Sequence, residues 1–297
     1  MKNKLVAIIL LNYKNIDDSI ECLESIRNIS YDNYKVIIID NASRDGSYEK
    51  LQELYPQHII KEALDNRGYA AGNNIGIKIA LDNKADYVCI VNNDIIVEKD
   101  FLNVLVEYME NHINVGIIGP KICAYNDHSI IQSTGASVNL NRGVVSIING
   151  NYNADTISNN PINCDYVCGA CMLVRTNVIR QIGLIPEVYF LFFEETEWCL
   201  KAKKEGYDVI CLPTSCIYHK GSASVNKIEG LSFYYMSRNL VLFERRNGNL
   251  VNVVLFFFYT LLKLLYNLFR KKKFVFSLKA MWVGFSMDKR DFLIKNK

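Results

Sequence analysis

Several features that would place a chain of 297 residues at a glance are missing from this one. No signal-type leader stands at its start: Met1-Lys2-Asn3-Lys4 runs straight into the strand-like LVAIILLNY, so secretion is not expected. No disulfide framework can be read either, because the nine cysteines are odd in number and scattered. Cys164, Cys168 and Cys171 lie close together, yet neither a second cluster nor a nearby histidine completes four zinc ligands. Reduced thiols in a protein facing the cytosol are the expectation. Internal repeats and low-complexity linkers are absent, and no stretch of about 20 residues is apolar without interruption. What is present is an ordinary globular composition, half apolar and 22% charged, able to bury one large core or two smaller ones.

The net charge of +3 conceals a division. From residue 250 onward ten basic side chains, among them Lys263, Lys279 and the run Arg270-Lys271-Lys272-Lys273, face only Asp288 and Asp291, so this tail carries +8 and the first 249 residues carry −5. A mildly acidic body argues against nucleic acid as a partner, and a basic, apolar tail points to an anionic membrane surface. Within the tail, VNVVLFFFYTLLKLLYNLF (251–269) is nearly all apolar but holds Lys263. Its length is marginal for a span and the lysine disfavours one. A helix lying on or dipping into the membrane, anchored by the basic run, is therefore expected, with a spanning helix and a core or oligomer contact as alternatives. The chain divides into a body, 1–249, and a membrane-associating segment, 250–297.

Through the first half, apolar runs alternate with helical periodicity, the pattern of βαβ units and a parallel sheet. Strands are expected over 5–11, 35–39 and 86–91, with a weaker one near 115–119, and crossover helices in SIECLESIRNI and NNIGIKIALD. Residues 120–162, rich in Asn, Ser and Gly, read as irregular strands and loops, an insertion on the acceptor side. CDYVCGACMLVRT then reads as a buried strand, and FLFFEETEWCLKAKKEGYDVICLP as a helix with an acidic start, a stop at Gly206 and a further strand. Open parallel sheets bind ligands at the carboxyl ends of their strands. Here those ends read Asn12-Tyr13, Asp40-Asn41-Ala42-Ser43 and Asn92-Asn93-Asp94. Mg²⁺ and Mn²⁺ prefer hard oxygen ligands and share them with substrate phosphates, a task suited to Asp94. Asn-Asn-Asp is also a common turn, and Asp40 suits an Asx-turn or a helix N-cap.

In order and spacing, LLNYKN, IIIDNASRDGS, DNRGYAAGNNIGI, VNND, VCGACMLVR, FFEETEWCLKAKKEGY and IYHKGSAS resemble the family 2 glycosyltransferases, and most closely the branch containing bacterial rhamnosyltransferases and related enzymes of surface-polysaccharide assembly. The resemblance covers about residues 4–245. It implies an α/β, Rossmann-like nucleotide-diphospho-sugar transferase fold of GT-A type, a mixed sheet with helices on both faces, followed here by amphipathic membrane-associated helices.

The resemblance also implies roles. Asp40 matches the acidic residue that contacts the nucleoside, and Asn12, Asn66, Arg67, Asn92 and Asn93 match donor-pocket positions. VNND matches the metal-binding Asp-x-Asp motif with Asn92 in its first place, leaving Asp94 as its carboxylate and a nucleotide-chelated Mg²⁺ or Mn²⁺ as the expected cofactor. His219 matches a histidine near the metal or diphosphate. Glu194-Glu195 matches an acidic pair, usually Glu-Asp, whose second member is the catalytic base, so Glu195 is the expected base. Glu194 and Glu197 are expected to help bind the acceptor, and Arg238 to offset leaving-group charge. The implied activity is inverting transfer of one sugar, such as rhamnose, from a dTDP- or UDP-sugar to a hydroxyl of a lipid-linked or polysaccharide acceptor, at the inner face of the cell membrane. A processive synthase is disfavoured by the lack of a Gln-x-x-Arg-Trp motif, and a nucleotidyltransferase by the lack of a Gly- and Arg/Lys-rich phosphate loop after the first strand. The alternative is a non-catalytic nucleotide-sugar or glycan-binding relative.

Overall fold

The computed structural model describes residues 4–221, 231–269 and 274–287. Its first half alternates strand and helix: β1 (Val6–Asn12), α1 (Ile16–Arg27), β2 (Tyr34–Asp40), α2 (Ser47–Leu54), β3 (Ile59–Glu62), α3 (Tyr69–Asp82) and β4 (Tyr87–Asn92). There follow β5 (Ile95–Val97), α4 (Phe101–Asn111), β6 (Val115–Ala124), and four short strands, β7 (Ile131–Ser133), β8 (Ala136–Asn139), β9 (Val144–Ile147) and β10 (Ile162–Asn163). β11 (Cys171–Arg175), α5 (Thr176–Ile182), α6 (Glu194–Lys204) and β12 (Asp208–His219) complete the sheet region, and α7 (Leu231–Asn247), α8 (Leu250–Phe269) and α9 (Phe274–Ser286) close the described chain.

The main sheet runs β10-β12-β6-β11-β4-β1-β2-β3. Strands β1 to β4 are parallel, as βαβ crossovers require, but β11 enters antiparallel between β4 and β6, so the sheet is mixed. Central strands are apolar on both faces because both are covered. Ile8, Leu10, Ile38 and Val91 face one core, beneath α1 and α4. Ala7, Ile9, Ile37, Ile39 and Ile90 face the other, which includes Ile77 of α3 and Trp198 of α6. This two-sided α/β layering is what the sequence periodicity implies.

Three segments differ from expectation. The stretch 164–176 is strand only from Cys171, because Cys168 to Ala170 make a turn that sits on the end of β4, where the Asn92 N–H donates to the Ala170 carbonyl at 2.9 Å. β3 and β5 are strands of four and three residues, too short for periodicity to register. The insertion mixes short strands and loops as expected, and its β8–β9 hairpin is a separate two-stranded sheet.

Candidate active site

β1, β2 and β4 end level, Asn12 opposite Asp40 and Leu11 opposite Asn92. The side chains there are bonded to one another. Asn12 Nδ2 donates to Asp40 Oδ2 at 2.7 Å and Ser43 Oγ at 3.3 Å, Ser19 Oγ donates to Asn12 Oδ1 at 2.7 Å, and the Ser43 N–H donates to Asp40 Oδ1 at 2.8 Å. Asn12 and Asp40 are fully buried. Both therefore build the floor of the strand-end crevice, with Asp40 closing an Asx-type turn. Beside them, Asn66 Oδ1 accepts from Asn41 Nδ2 at 3.1 Å and from the Gly68 N–H at 2.9 Å, which fixes the Asn66-Arg67-Gly68 turn. Arg67 projects from this turn, half-exposed, and pairs with Glu187 at 2.8 Å.

Asp94 and His219 are brought together by the antiparallel pairing of β5 with β12, in which Ile95 lies opposite His219. The Lys220 N–H donates to the Asp94 carbonyl at 2.9 Å, and Asp94 Oδ1 lies 3.3 Å from His219 Nε2. The other ring nitrogen, Nδ1, is 2.8 Å from Gln132 Oε1, while Gln132 Nε2 donates to the His219 carbonyl at 2.9 Å. With Nδ1 as donor to Gln132 Oε1, Nε2 is held on the side of Asp94, as a hydrogen bond to one ring nitrogen orients the other in a metal-ligating histidine. Asn93 faces elsewhere, donating to the Asn15 carbonyl and to Ser19 Oγ, both at 3.0 Å, and so ties the VNND turn to α1. The donor set fits a cation that takes its remaining ligands from a diphosphate and water. Among the described residues no group of three or more His, Cys, Asp and Glu stands ready to hold a metal alone. The end of the IYHKGSAS motif, 222–224, lies outside the described residues.

Glu195 stands in the first turn of α6, entered through a loop whose backbone is held against its preference. Phe190, Phe192 and Phe193 have φ of 70°, 69° and 78°, a region that costs a non-glycine residue about 1–3 kcal/mol. Asn239 of α7 fixes this loop: its Nδ2 donates to the carbonyls of Tyr189, Leu191 and Phe192 at 3.1, 2.6 and 3.0 Å. On the other side, the Tyr69 N–H donates to the Phe190 carbonyl at 3.0 Å. Gly68 permits that approach. Its φ is +94°, and an added Cβ would stand 2.1 Å from the Phe190 carbonyl oxygen, a backbone atom that cannot swing aside. Gly68→Ala is expected to destabilise the fold by about 3 kcal/mol and to displace the acidic loop, seen as a lowered unfolding midpoint together with reduced activity.

The adjacent carboxyls of α6 have unlike surroundings. Glu194 is buried with Oε2 unpartnered, and burial, then the charge of Glu195, holds its pKa well above the usual range. Burial raises Glu195 too, and its Oε2 is likewise buried and unpartnered, but backbone N–H groups, including that of Gly169, oppose the rise. Burial thus raises both carboxyls, with the charge of Glu195 as a further cause at Glu194. The expected acceptor contact of Glu194 is corrected accordingly: its side chain is enclosed. Glu197 is corrected as well. It is buried and takes a bidentate pair from Arg246 at 2.6 and 2.8 Å, a bond from Tyr189 Oη and one from Asn247 at 3.2 Å. Burial pushes its pKa up, yet Arg246 outweighs this and holds it at about 2, so no lone pair is left for an acceptor. Arg238 is likewise buried beneath the loop, donating to the Tyr189 carbonyl and, at 2.8 Å, to Asn239 Oδ1, and thus serves as a clamp and not at the leaving group.

Glu244, one turn beyond Asn239 on α7, is 1% exposed with neither oxygen partnered. Burial lifts its pKa to about 8. A raised folded-state pKa contributes stability fully present below the unfolded value near 4.5 and lost as pH rises through about 8. Glu244→Met is therefore expected to gain about 3 kcal/mol relative to the native protein between pH 4.5 and pH 7, levelling above pH 8. Urea unfolding across that range measures it, and a gap that stays constant with pH would refute the shift.

Asp94 and Glu195 both come close to the same turn. Asn92, two residues before Asp94, bonds to Ala170, and a methyl group at Gly169 would lie 3.4 Å from Glu195 Oε1. In that turn the Cys168 thiol is pushed up to about 11, mostly by burial, with the charges of Glu195 and Asp94 both adding. Tyr69, whose hydroxyl donates to the Gly169 carbonyl at 2.6 Å, completes the wall. Sequence reasoning passed over Tyr69, Gln132 and Asn239. Tyr69 and Asn239 adjoin quoted motif residues and were within reach, whereas Gln132 lies in the irregular insertion and carries no signal.

A mixed α/β sheet whose strand-end crevice gathers an Asp–His pair and a helix-borne carboxylate near one turn has the make-up of a sugar-transferring enzyme. Residues 7–183 match the model described as Glycosyl transferase family 2, and the chain belongs to that family. Glu195 and His219 lie beyond the matched residues. Among curated proteins, it is 26% identical over 207 residues to the low-salt glycan biosynthesis hexosyltransferase Agl10 of Haloferax volcanii, covering 69% of this chain and 63% of that protein's length. It is 26% identical to the dTDP-rhamnosyl transferase RfbF of Shigella flexneri, covering 75% of this chain and 74% of that one. The N-acetylglucosaminyl-diphospho-decaprenol L-rhamnosyltransferase of Mycobacterium tuberculosis is 23% identical, with 72% and 76% covered. Solved structures share the GT-A fold: TarS (1–349) of S. aureus, TM-score 0.57 at 16% identity, with 85% of this chain and 70% of that one covered, and GalNAc-T7 with UDP, GalNAc and Mn²⁺, TM-score 0.62 at 14% identity, with 81% and 51% covered. The mannosyltransferase PcManGT of Pyrobaculum calidifontis, in complex with GDP-Man and Mn²⁺, has TM-score 0.57 at 15% identity, with 95% and 75% covered.

Proposed function

We propose that this glycosyltransferase moves a single sugar, rhamnose in the first instance, from a dTDP- or UDP-sugar to a hydroxyl of a lipid-linked or growing glycan, with inversion, at the inner face of the cell membrane during surface-glycan synthesis. The observation that carries the transfer reading is that Asp94, paired with His219, and Glu195 both come close to the Cys168–Ala170 turn. The rhamnosyl and dTDP elements rest on the names of the relatives, above all RfbF. In the reaction the acceptor O–H gives its proton to Glu195, its oxygen bonds to the anomeric carbon, and the bond from that carbon to the diphosphate oxygen breaks, its electron pair leaving with the diphosphate. A single displacement of this kind puts base and leaving group on opposite faces and inverts the centre. Asp94 and His219 would hold Mg²⁺ or Mn²⁺, which supplies neutralisation of the departing diphosphate. Asn66, Arg67 and Asn92 line the donor side, above the floor made by Asn12 and Asp40. Calorimetry with dTDP-, UDP- and GDP-sugars, each with and without Mn²⁺, tests the reading: dTDP-rhamnose should bind best and only with the cation added at full strength, and a preference for a GDP-sugar would replace the donor assignment.

A further inference from the structure

α8 is turned inside out. Its inner side rests on the β8–β9 hairpin: Phe256 is buried with its ring over Gly143, and Asn252 Nδ2 donates to Asn141 Oδ1 at 2.7 Å. Its outer side carries Val251, Val254, Leu255, Phe258, Leu261 and Leu262, spaced as one helical face, every one of them exposed and Phe258 and Leu262 by 62% and 66%. A surface helix of a water-soluble protein shows polar residues there. On neighbouring α9, Trp282 is 71% exposed and Phe285 half-exposed. Contiguous apolar surface of this extent marks a docking site.

We propose that this outer face of α8, assisted by Trp282, lies flat on an anionic lipid bilayer. Charge chooses a bilayer over a second copy of the chain, and helix length chooses how the bilayer is met. The segment carrying the face has ten basic side chains against two acidic ones, while the body is net acidic, so the charge that accompanies the apolar face is complementary to anionic headgroups and repels its own duplicate. Among the described residues, moreover, no helix is long and apolar enough to cross a membrane, which leaves in-plane burial as the way for α8 to cover its face with lipid. The docked helices are continuous with the catalytic loop. α7 holds that loop through Arg238 and Asn239, and it also seats α9: Gly284 packs against the Arg238 carbonyl, and Arg245 donates to the Gly284 and Met287 carbonyls at 3.1 and 2.9 Å. A bilayer under α8 thus presents the pocket to an acceptor at the membrane surface.

The inference takes its purpose from the membrane-side acceptor proposed above, but vesicle binding and sugar transfer are read separately. Full-length protein is floated with phosphatidylglycerol-containing vesicles and with phosphatidylcholine vesicles. The native protein should float with the anionic vesicles and at least tenfold less with the neutral ones. The Phe258→Glu/Leu262→Glu double variant, changed only at exposed positions, should lose anionic binding at least tenfold while keeping its unfolding midpoint and donor affinity. A native protein that stays below both vesicle types overturns the proposal, as does a double variant that floats like the native one. A dimer dispersed by the same substitutions, without vesicle binding, reassigns the face to a second copy.

Discussion

Glu195→Gln is expected to bind donor as the native protein does and to transfer sugar slower by about 10² or more, the range of a lost general base. The amide has the shape of the carboxylate and keeps a carbonyl oxygen toward the Gly169 amide, so the turn near Glu195 and Asp94 stays in place. What it cannot do is accept the acceptor's proton. The native carboxyl, raised by burial, must be ionised to act, so native turnover falls as pH drops through that raised value. The variant's residual turnover should show no such acid limb. Single-turnover kinetics across pH, beside donor calorimetry, gives both readouts. Native-like turnover in the variant would remove Glu195 from the role and favour a non-catalytic nucleotide-sugar-binding protein. Because Glu194 shares the burial and lies one residue away, Glu194→Gln is the necessary control, with a much smaller loss expected.

Asp94→Ala should weaken cation-dependent donor binding by about 10- to 100-fold, the equivalent of losing one charged contact of roughly 1.5–3 kcal/mol. The same variant should bind free nucleotide without cation as the native protein does. The fold should be little disturbed: the Asp94 side chain makes one ion pair, and His219 keeps both of its bonds to Gln132. Donor titration with and without Mn²⁺ measures the effect. Native transfer that continues unchanged in a chelator would defeat the cation assignment and leave Asp94 as a turn residue. His219→Gln should fall between the two, because the protein then keeps its carboxylate.

Local chemistry made much of this molecule legible. Runs such as VAIILLN and KVIIID can be satisfied only between two covering layers, so the central strands and their polar ends follow from composition alone. Glu194 to Glu197 open a helix because carboxylates are favoured at its positive end, a local effect that needs no partner. The helix register does not say which carboxylate turns inward. That depends on Arg246 and Tyr189, which reach Glu197 from other elements, and on the enclosure of Glu194.

By itself, then, the sequence determined the α/β layering, the polar ends of the strands, the family and the basic, apolar character of the tail, because each is a property of residues near one another in the chain. Tertiary structure alone decided that Asp94 meets His219, that Arg238 and Asn239 clamp the loop ahead of Glu195, that Glu197 anchors α7, and that α8 shows its apolar side outward. Those outcomes depend on which distant elements are set side by side, and a side chain's charge and reach are fixed in the sequence while its partner is not.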